Sequence, residues 1–306
     1  MHFSIKSLID SANPMFASAR KAKRLPNALV ATIILMAATV IGFILATVAE
    51  LIIYAEPEDV NPFQKEYYWY VVPFALIVGA LWIWVRVYEK RPFRSLGFTR
   101  NSGLIKYIVG FVVGFAMQAL TVGLMALGGS VIVEQAGEVA TGVAAVGGSL
   151  LVLTAFIVQG ASEEIVCRGW YLPVLGARHK PLIAVVVSTV LFAALHLPSQ
   201  PVAIVNLLLF GLFLALYSFR EGSIWGVCGW HTAWNWSMAN VFGLEFSGQA
   251  PFGGTIINLQ ASGSPFLSGG GYGPEGSLAA TLIFSAAVMG VVCRSGRQKD
   301  DVSRHF

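Results

Sequence analysis

The chain of 306 residues is 56% hydrophobic and only 12% charged, and its mean hydropathy is +0.70. Soluble domains carry about 25% charged residues, so these charges are too few to cover a water-facing surface. The net charge of +4 does not call for nucleic acid: no groove-reading module occurs, and basic residues on one side of a membrane protein orient its helices. The three cysteines, Cys167, Cys228 and Cys293, lie in or beside apolar runs and fit no CxxC or zinc-finger spacing. They read as small buried side chains, not disulfides.

About 20 apolar residues cross a hydrocarbon core, and the chain is laid out in runs of that kind. Residues 1–27 form a basic segment with Lys6, Arg20, Lys21, Lys23 and Arg24. The first run, Ala28 to Ile53, is too long for a signal-peptide core and reads as an anchor. A mostly acidic loop (Glu56, Glu58, Asp59 and Glu66 against Lys65) leads to Trp69 to Val85. The aromatic cluster at its start, Tyr67, Tyr68, Trp69 and Tyr70, reads as an interfacial belt. Arg86, Lys90, Arg91, Arg94, Arg100 and Lys106 surround the entry to the third run, Leu104 to Leu127. A loop with Glu134 and Glu138 but no basic residue follows.

Four runs then come in close succession: Ser149 to Trp170, Leu182 to His196, Val202 to Phe219, and Ile224 to Phe242. Their connections hold Arg178 and Lys180, a neutral Pro-Ser-Gln-Pro turn, and Arg220. Gly243 to Ser277 is rich in Gly, Ser and Pro without a Lys or Arg, and reads as a flexible loop or a short re-entrant lid. The last run, Leu278 to Cys293, precedes Arg294, Arg297, Lys299 and Arg304. Eight crossings put every predominantly basic segment on one side, with both termini cytoplasmic. Seven would leave one basic tail outside. The expected fold is an all-α membrane protein, a polytopic bundle of about eight transmembrane helices, and its expected setting is a bacterial plasma membrane.

Charges inside a bilayer are expensive and mark function by default. Once loop residues are set aside, the ionisable groups between Val143 and Val241 are Glu163, Glu164, Arg168, His196 and His231. They fall in three motifs: Glu163-Glu164-Ile-Val-Cys-Arg168, Phe192-Ala-Ala-Leu-His196 and His231-Thr-Ala-Trp-Asn235. Residues four apart share a helix face, so Glu164 and Arg168 pair into a neutral brace. Glu163 lies about 100° further round the helix and is the freer carboxylate. His231 and Asn235 present two polar groups to one side, and the Phe192 ring packs beside His196. At roughly 1.5 Å per residue, His231 lies about 10 Å and Asn235 about 16 Å from the cytoplasmic end of their span. Glu163 is at a depth comparable to His231, and His196 is near 20 Å. The spans can therefore converge on one pocket.

Such a pocket suits hydrolysis. A carboxylate can take a proton from water, and an imidazole and an amide can donate to a developing oxyanion. The same residue types leave a second arrangement open, in which Glu163, His196 and His231 are three zinc ligands with water in the fourth position. No HExxH or other zincin motif occurs. Cys167 is a weak nucleophile candidate because carboxylates, not cations, precede it. Trp230, Trp234 and Trp236 either shape a substrate groove or face lipid, and Asn206 and Asn240 read as interhelical glue.

The three motifs resemble EExxxR, FxxxH and HxxxN, in that order, of the CPBP family of intramembrane proteases, also called Abi or type II CAAX prenyl endopeptidases. Gln159-Gly160, Arg168-Gly169 and Ser223-Ile-Trp-Gly fit as flanks, and the resemblance covers roughly Ser149 to Phe242. It implies a membrane-embedded peptidase with Glu163 as base, His196 as its partner, and His231 with Asn235 at the oxyanion. The expected catalytic core of four helices is 143–242; the three helices at 28–142 and the loop, last helix and basic tail at 243–306 share only the family's general hydrophobic layout. The family was long labelled metal-dependent; a metal-free glutamate mechanism is the preferred reading, with zinc as the alternative. The partners it implies are the bilayer and a membrane-associated peptide or protein, prenylated at a CAAX-type terminus or bacteriocin-like. Two other classes compete: a proton-coupled transporter, for which no internal repeat is found, and a non-catalytic scaffold or immunity factor.

Overall fold

A computed structural model describes residues 8–54, 61–134, 140–198 and 200–303, with backbone only for 294–303. Lys6, Glu56, Glu58, Asp59, Glu138 and Arg304, used above to orient the chain, lie outside the described residues. Helices dominate: α1 (Pro14–Arg20), α2 (Ala28–Ile53), α3 (Pro62–Ile83), α4 (Gly103–Leu127), α5 (Val146–Glu164), α6 (Leu172–Arg178), α7 (Pro181–Leu195), α8 (Pro201–Glu221), α9 (Trp225–Trp236), α10 (Pro265–Ser268) and α11 (Leu278–Ser303). Two three-residue strands, β1 (Val131–Val133) and β2 (Leu259–Ala261), pair antiparallel with Ile132 opposite Gln260. Wider π-helical turns continue α3 (Trp84–Tyr88), α5 (Ile165–Tyr171) and α9 (Ser237–Val241).

Each of the eight apolar runs is helical. Among the described residues, five helices are long and apolar enough to cross a membrane: Ala28–Ile53, Pro62–Tyr88, Gly103–Leu127, Gly142–Arg178 and Pro201–Glu221. Pro181–Leu195 and Leu278–Cys293 are apolar but shorter. The second helix starts well ahead of Trp69, because the Asn61 side chain caps Phe63 N and Pro62 occupies the first helical position. The fourth runs on past Trp170 through its π-turn to Arg178. Its 37 residues amount to about 55 Å at 1.5 Å each, more than the core of a bilayer.

Apolar faces mark the lipid side. Leu29, Ile44 and Ile52 of α2, Leu104 and Val112 of α4, and Leu182 and Val186 of α7 are all at least half exposed, an arrangement that suits hydrocarbon surroundings. By contrast, every residue from Gly226 to Asn235 in α9 is buried. α9 lies against α4 at backbone distance: a Cβ on Gly110 would come 1.9 Å from Gly226 O, and one on Gly114 would come 2.4 Å from Trp230 O. Small residues that let two helices touch are the usual device of packing in lipid. This contact fixes the height and rotation of the helix that carries His231 and Asn235.

The Gly/Ser-rich segment is not loose. Asn240 Nδ2 donates to Phe252 O and Gly254 O at 2.7 and 2.8 Å. Asn206 Nδ2 donates to Glu275 O and Ser277 O at 2.7 and 2.8 Å. The buried Glu275 carboxylate accepts from Trp234 Nε1 at 2.9 Å and from Ser247 Oγ at 2.6 Å. Both asparagines thus tie the connecting loop to the bundle, and Asn206 also reaches α11 through Thr281. The expected aromatic belt is likewise partly interior. Tyr68 is buried and donates to Ala46 O at 2.6 Å, and Tyr70 stacks on Phe252 of the loop at 5.1 Å. Trp230 and Trp234 face neither lipid nor a groove: both are fully buried and stack on each other at 5.0 Å.

The basic N-terminal segment contains a docked helix. Phe16 of α1 is fully buried against α6, close enough that a Cβ on Gly176 would meet its ring at 2.1 Å. Cys167 and Cys228 are buried thiols, and Cys293 is exposed.

Gly110→Ala should lower the thermal unfolding temperature of the purified protein markedly, since overpacking costs about 1–3 kcal/mol and here the clash is with backbone. Gly123→Ala, on the same helix with nothing within 4 Å, should leave it nearly unchanged. Equal melting of the two variants would contradict the α4–α9 contact.

Candidate active site

Glu163 and Glu164 end α5 where the helix widens into the π-turn, a local irregularity common at functional sites. Adjacent positions on a helix point apart, and the two carboxylates meet different surroundings. Glu164 is fully buried. Its Oε1 accepts from Arg168 Nη1 at 2.9 Å and from His231 Nδ1 at 2.9 Å. The brace expected between Glu164 and Arg168 is present, and it extends to the imidazole of α9. Arg168 also reaches Gly211 O at 3.4 Å and lies 4.1 Å over the Phe192 ring. Phe192 in turn stacks on Phe210 at 5.4 Å and packs 4.5 Å from the His196 ring. The Phe of the second motif thus serves both as a cation–π platform and as a wall beside the histidine.

Glu163 borders a cavity. Its Oε1 accepts from Gln159 Nε2 at 2.6 Å. Its Oε2 lies 3.6 Å from His196 Nε2 and 3.8 Å from His231 Nε2 and has no hydrogen-bond partner. The protons on the two rings follow from their other contacts. His196 Nδ1 lies 2.8 Å from Phe192 O, and a carbonyl only accepts, so the proton is on Nδ1. The Glu164 carboxylate, paired with Arg168, fixes the proton of His231 on Nδ1 in the same way. In their neutral forms both rings therefore turn an Nε2 lone pair toward Glu163. Three acceptors surround one gap, and a proton or a donor such as water satisfies them.

Asn235 is brought to the same place by a different route. Its Nδ2 donates to Gln159 Oε1 at 3.0 Å, forming a chain Asn235–Gln159–Glu163. Because Glu163 accepts, the Gln159 amide must turn its nitrogen to Glu163 and its oxygen to Asn235. Gln159, only a flank in the motif reading, is the residue that joins Asn235 to Glu163. Its signal was there: an amide in an apolar span, one turn before Glu163 and on the same face.

The cavity has a volume of about 220 Å³. Glu163, Cys167 and His196 line it together with Leu35, Thr39 and Phe43 of α2 and Phe74 and Ile77 of α3. His231 and Asn235 are 2% and 4% exposed and stand behind Glu163. All six residues named from the motifs, Glu163, Glu164, Arg168, His196, His231 and Asn235, are thus linked through Glu163 and Glu164. The first two spans, outside the motifs, supply one wall. Among the described residues, no group of three His, Cys, Asp or Glu side chains is arranged to hold a metal ion. The chemistry below is drawn from the chain's own side chains.

Fold and site together define an α-helical membrane protein with a glutamate–histidine centre beside a cavity between α2, α3, α5 and α7. Residues 145–237 match the family model of the type II CAAX prenyl endopeptidases, Rce1-like, the family that the three motifs resemble. This match supports a CAAX-type membrane protease. No curated protein and no solved structure matches the chain.

Glu164→Gln should destabilise the fold by about 3–5 kcal/mol, because it strips a buried guanidinium of its counter-charge. Glu163→Gln, which keeps a hydrogen-bonding side chain at the cavity, should melt within a few degrees of the parent. Thermal unfolding in detergent reads both, and the reverse ranking would contradict the division of roles.

Proposed function

We propose that the chain is an intramembrane endopeptidase in which Glu163 activates water against a peptide bond of a membrane-associated substrate. The observation that carries this reading is the unpartnered Glu163 Oε2 facing two imidazole Nε2 atoms at the edge of a cavity. Separations of 3.6 and 3.8 Å are too long for direct hydrogen bonds and suit a bridging water. Glu163 takes a proton from that water as its oxygen attacks the scissile carbonyl carbon. The carbon–nitrogen bond then breaks, and the proton passes to the leaving amine.

His196, held by Phe192 O, orients the water from the other side. His231, its ring set by Glu164 at Nδ1, turns Nε2 into the same gap and stands beside the developing oxyanion. Asn235 commits one N–H to Gln159 and so holds Gln159 on Glu163 Oε1; its amide nitrogen carries a second N–H for the oxyanion role that the resemblance implies. Glu164 and Arg168 are positioning residues that act through His231. The mainly apolar lining suits a substrate presented from the bilayer, of which a prenylated CAAX-type terminus and a bacteriocin-like peptide are the two classes to try. The eight-crossing arrangement in a bacterial plasma membrane, with both termini and the basic loops cytoplasmic, belongs to the same proposal.

The test is cleavage of a peptide library, with prenylated C-termini included, by purified reconstituted protein with and without chelator. Glu163→Ala and His196→Ala should each cut turnover by at least about a hundredfold, the usual range for a lost acid–base group, while the protein still folds. Chelator should leave turnover unchanged. Cleavage retained by both variants would overturn the reading in favour of a scaffold, solute flux in its place would favour a transporter, and loss to chelator restored by zinc would favour the metal arrangement. Gln159→Leu should lower kcat by about tenfold to a hundredfold with KM little changed, as expected for a lost supporting contact. A change in KM alone would argue against the relay.

A further inference from the structure

At the end of the structure that carries α1, a second pocket of about 440 Å³ lies between α1 and the segment after α3. Its walls carry Lys21, Lys90, Arg91, Arg94 and Arg100, with Ser18 and Ser95, and no acidic side chain lines it. Orientation of helices by positive charge needs basic residues near the membrane but no pocket. Two features go beyond that need.

Arg91 is only 2% exposed. Its Nε is committed to the buried Glu89 at 2.5 Å and its Nη1 to Ser95 Oγ at 3.2 Å, while Nη2 is buried without any hydrogen-bond partner. A buried guanidinium N–H left unmet is costly, and Arg91 is one of the residues that line the pocket. The pocket is also built, since Ser18 Oγ donates to Ser95 O at 2.8 Å and latches α1 to the far wall. Lys90, at φ 57, holds a left-handed backbone conformation that non-glycine residues rarely adopt. Glu89, the carboxylate beneath, is consumed by Arg91 and by the indoles of Trp84 and Trp170.

We infer that this pocket binds a phosphate group. Guanidinium and ammonium groups converging without a carboxylate are the donor set that phosphate oxygens take. Two sources carry that chemistry at this place: the headgroup of an anionic phospholipid and a soluble phosphate compound. The lipid is the nearer, because Trp82, Ile83 and Val87, half or more exposed, set the end of α3 in hydrocarbon just before the pocket. A basic pocket at that level is where a headgroup would be received.

The test uses the full chain purified in a neutral detergent, titrated separately with dioctanoyl phosphatidic acid, dioctanoyl phosphatidylcholine and inorganic phosphate, with binding read by thermophoresis. The double variant Arg94→Gln/Arg100→Gln removes two exposed pocket cations and leaves Arg91 in place. Arg86→Gln/Lys180→Gln removes two exposed cations that do not line the pocket. Saturable binding of phosphatidic acid, weakened about thirtyfold in the first variant at roughly fivefold per cation and by less than about twofold in the second, is the expected result. If inorganic phosphate binds as tightly as the lipid and responds to the same variant, the site stands and its source is soluble. If no phosphate probe saturates, or if both variants weaken binding equally, the pocket is surface charge only and the inference fails.

Discussion

One carboxylate oxygen holds the site together. Glu164 Oε1 receives both the Arg168 guanidinium and the His231 imidazole at 2.9 Å, and none of the three side chains is more than marginally exposed. A buried ion pair is weak evidence of net stability, because desolvation offsets most of the attraction. Its value here is geometric. It joins the end of α5 to α9, sets the ring of His231, and draws Arg168 over Phe192, which packs against His196. Three motifs far apart in the chain are thereby brought to one place through a single charge. Glu163, the residue before Glu164, takes no part in that pair and borders the cavity.

Packing around this centre follows the same logic of close approach. Gly110 and Gly114 let α4 contact the backbone of α9, so the helix that carries His231 and Asn235 is seated without adjustable side chains between. Gly160, one turn from Glu164, meets α9 from the opposite side, where a Cβ would stand 3.1 Å from Thr232 N. The segment between α9 and α11 then closes over the bundle, with Phe252 on Tyr70 and Glu275 on Trp234. Backbone contacts on two sides and an ordered cap give a site in which small displacements of His231 are resisted from several directions.

The membrane class, the helical runs and the six motif residues were legible because each has a local signature. Ionisable groups in apolar runs stand out, and spacings of four place Glu164 with Arg168 and Phe192 beside His196. What was illegible depends on contacts between distant segments. No local pattern tells that Leu35 and Phe74 wall the cavity beside Glu163, or that Tyr70 turns inward to the loop and not out to the interface. Asn206 and Asn240 read as polar residues in spans, and only the fold reveals that their partners are loop carbonyls. The second helix begins at Asn61-Pro62, not at Trp69, because cap and proline outweigh the polar Gln64, Lys65 and Glu66 of its first turns. Gln159 lies between these cases: its spacing from Glu163 was in view, but its link to Asn235 spans 76 positions.

Water activation by Glu163 depends on what occupies the gap bounded by Glu163 Oε2, His196 Nε2 and His231 Nε2. The direct measurement is an experimental density map that resolves ordered water, with anomalous data collected across the zinc edge. The expected result is one water-sized peak at about 2.7–3.0 Å from Glu163 Oε2 and within hydrogen-bond reach of both rings, without anomalous signal. An anomalous peak about 2 Å from all three atoms, or side chains closed onto one another with no solvent between, would contradict it.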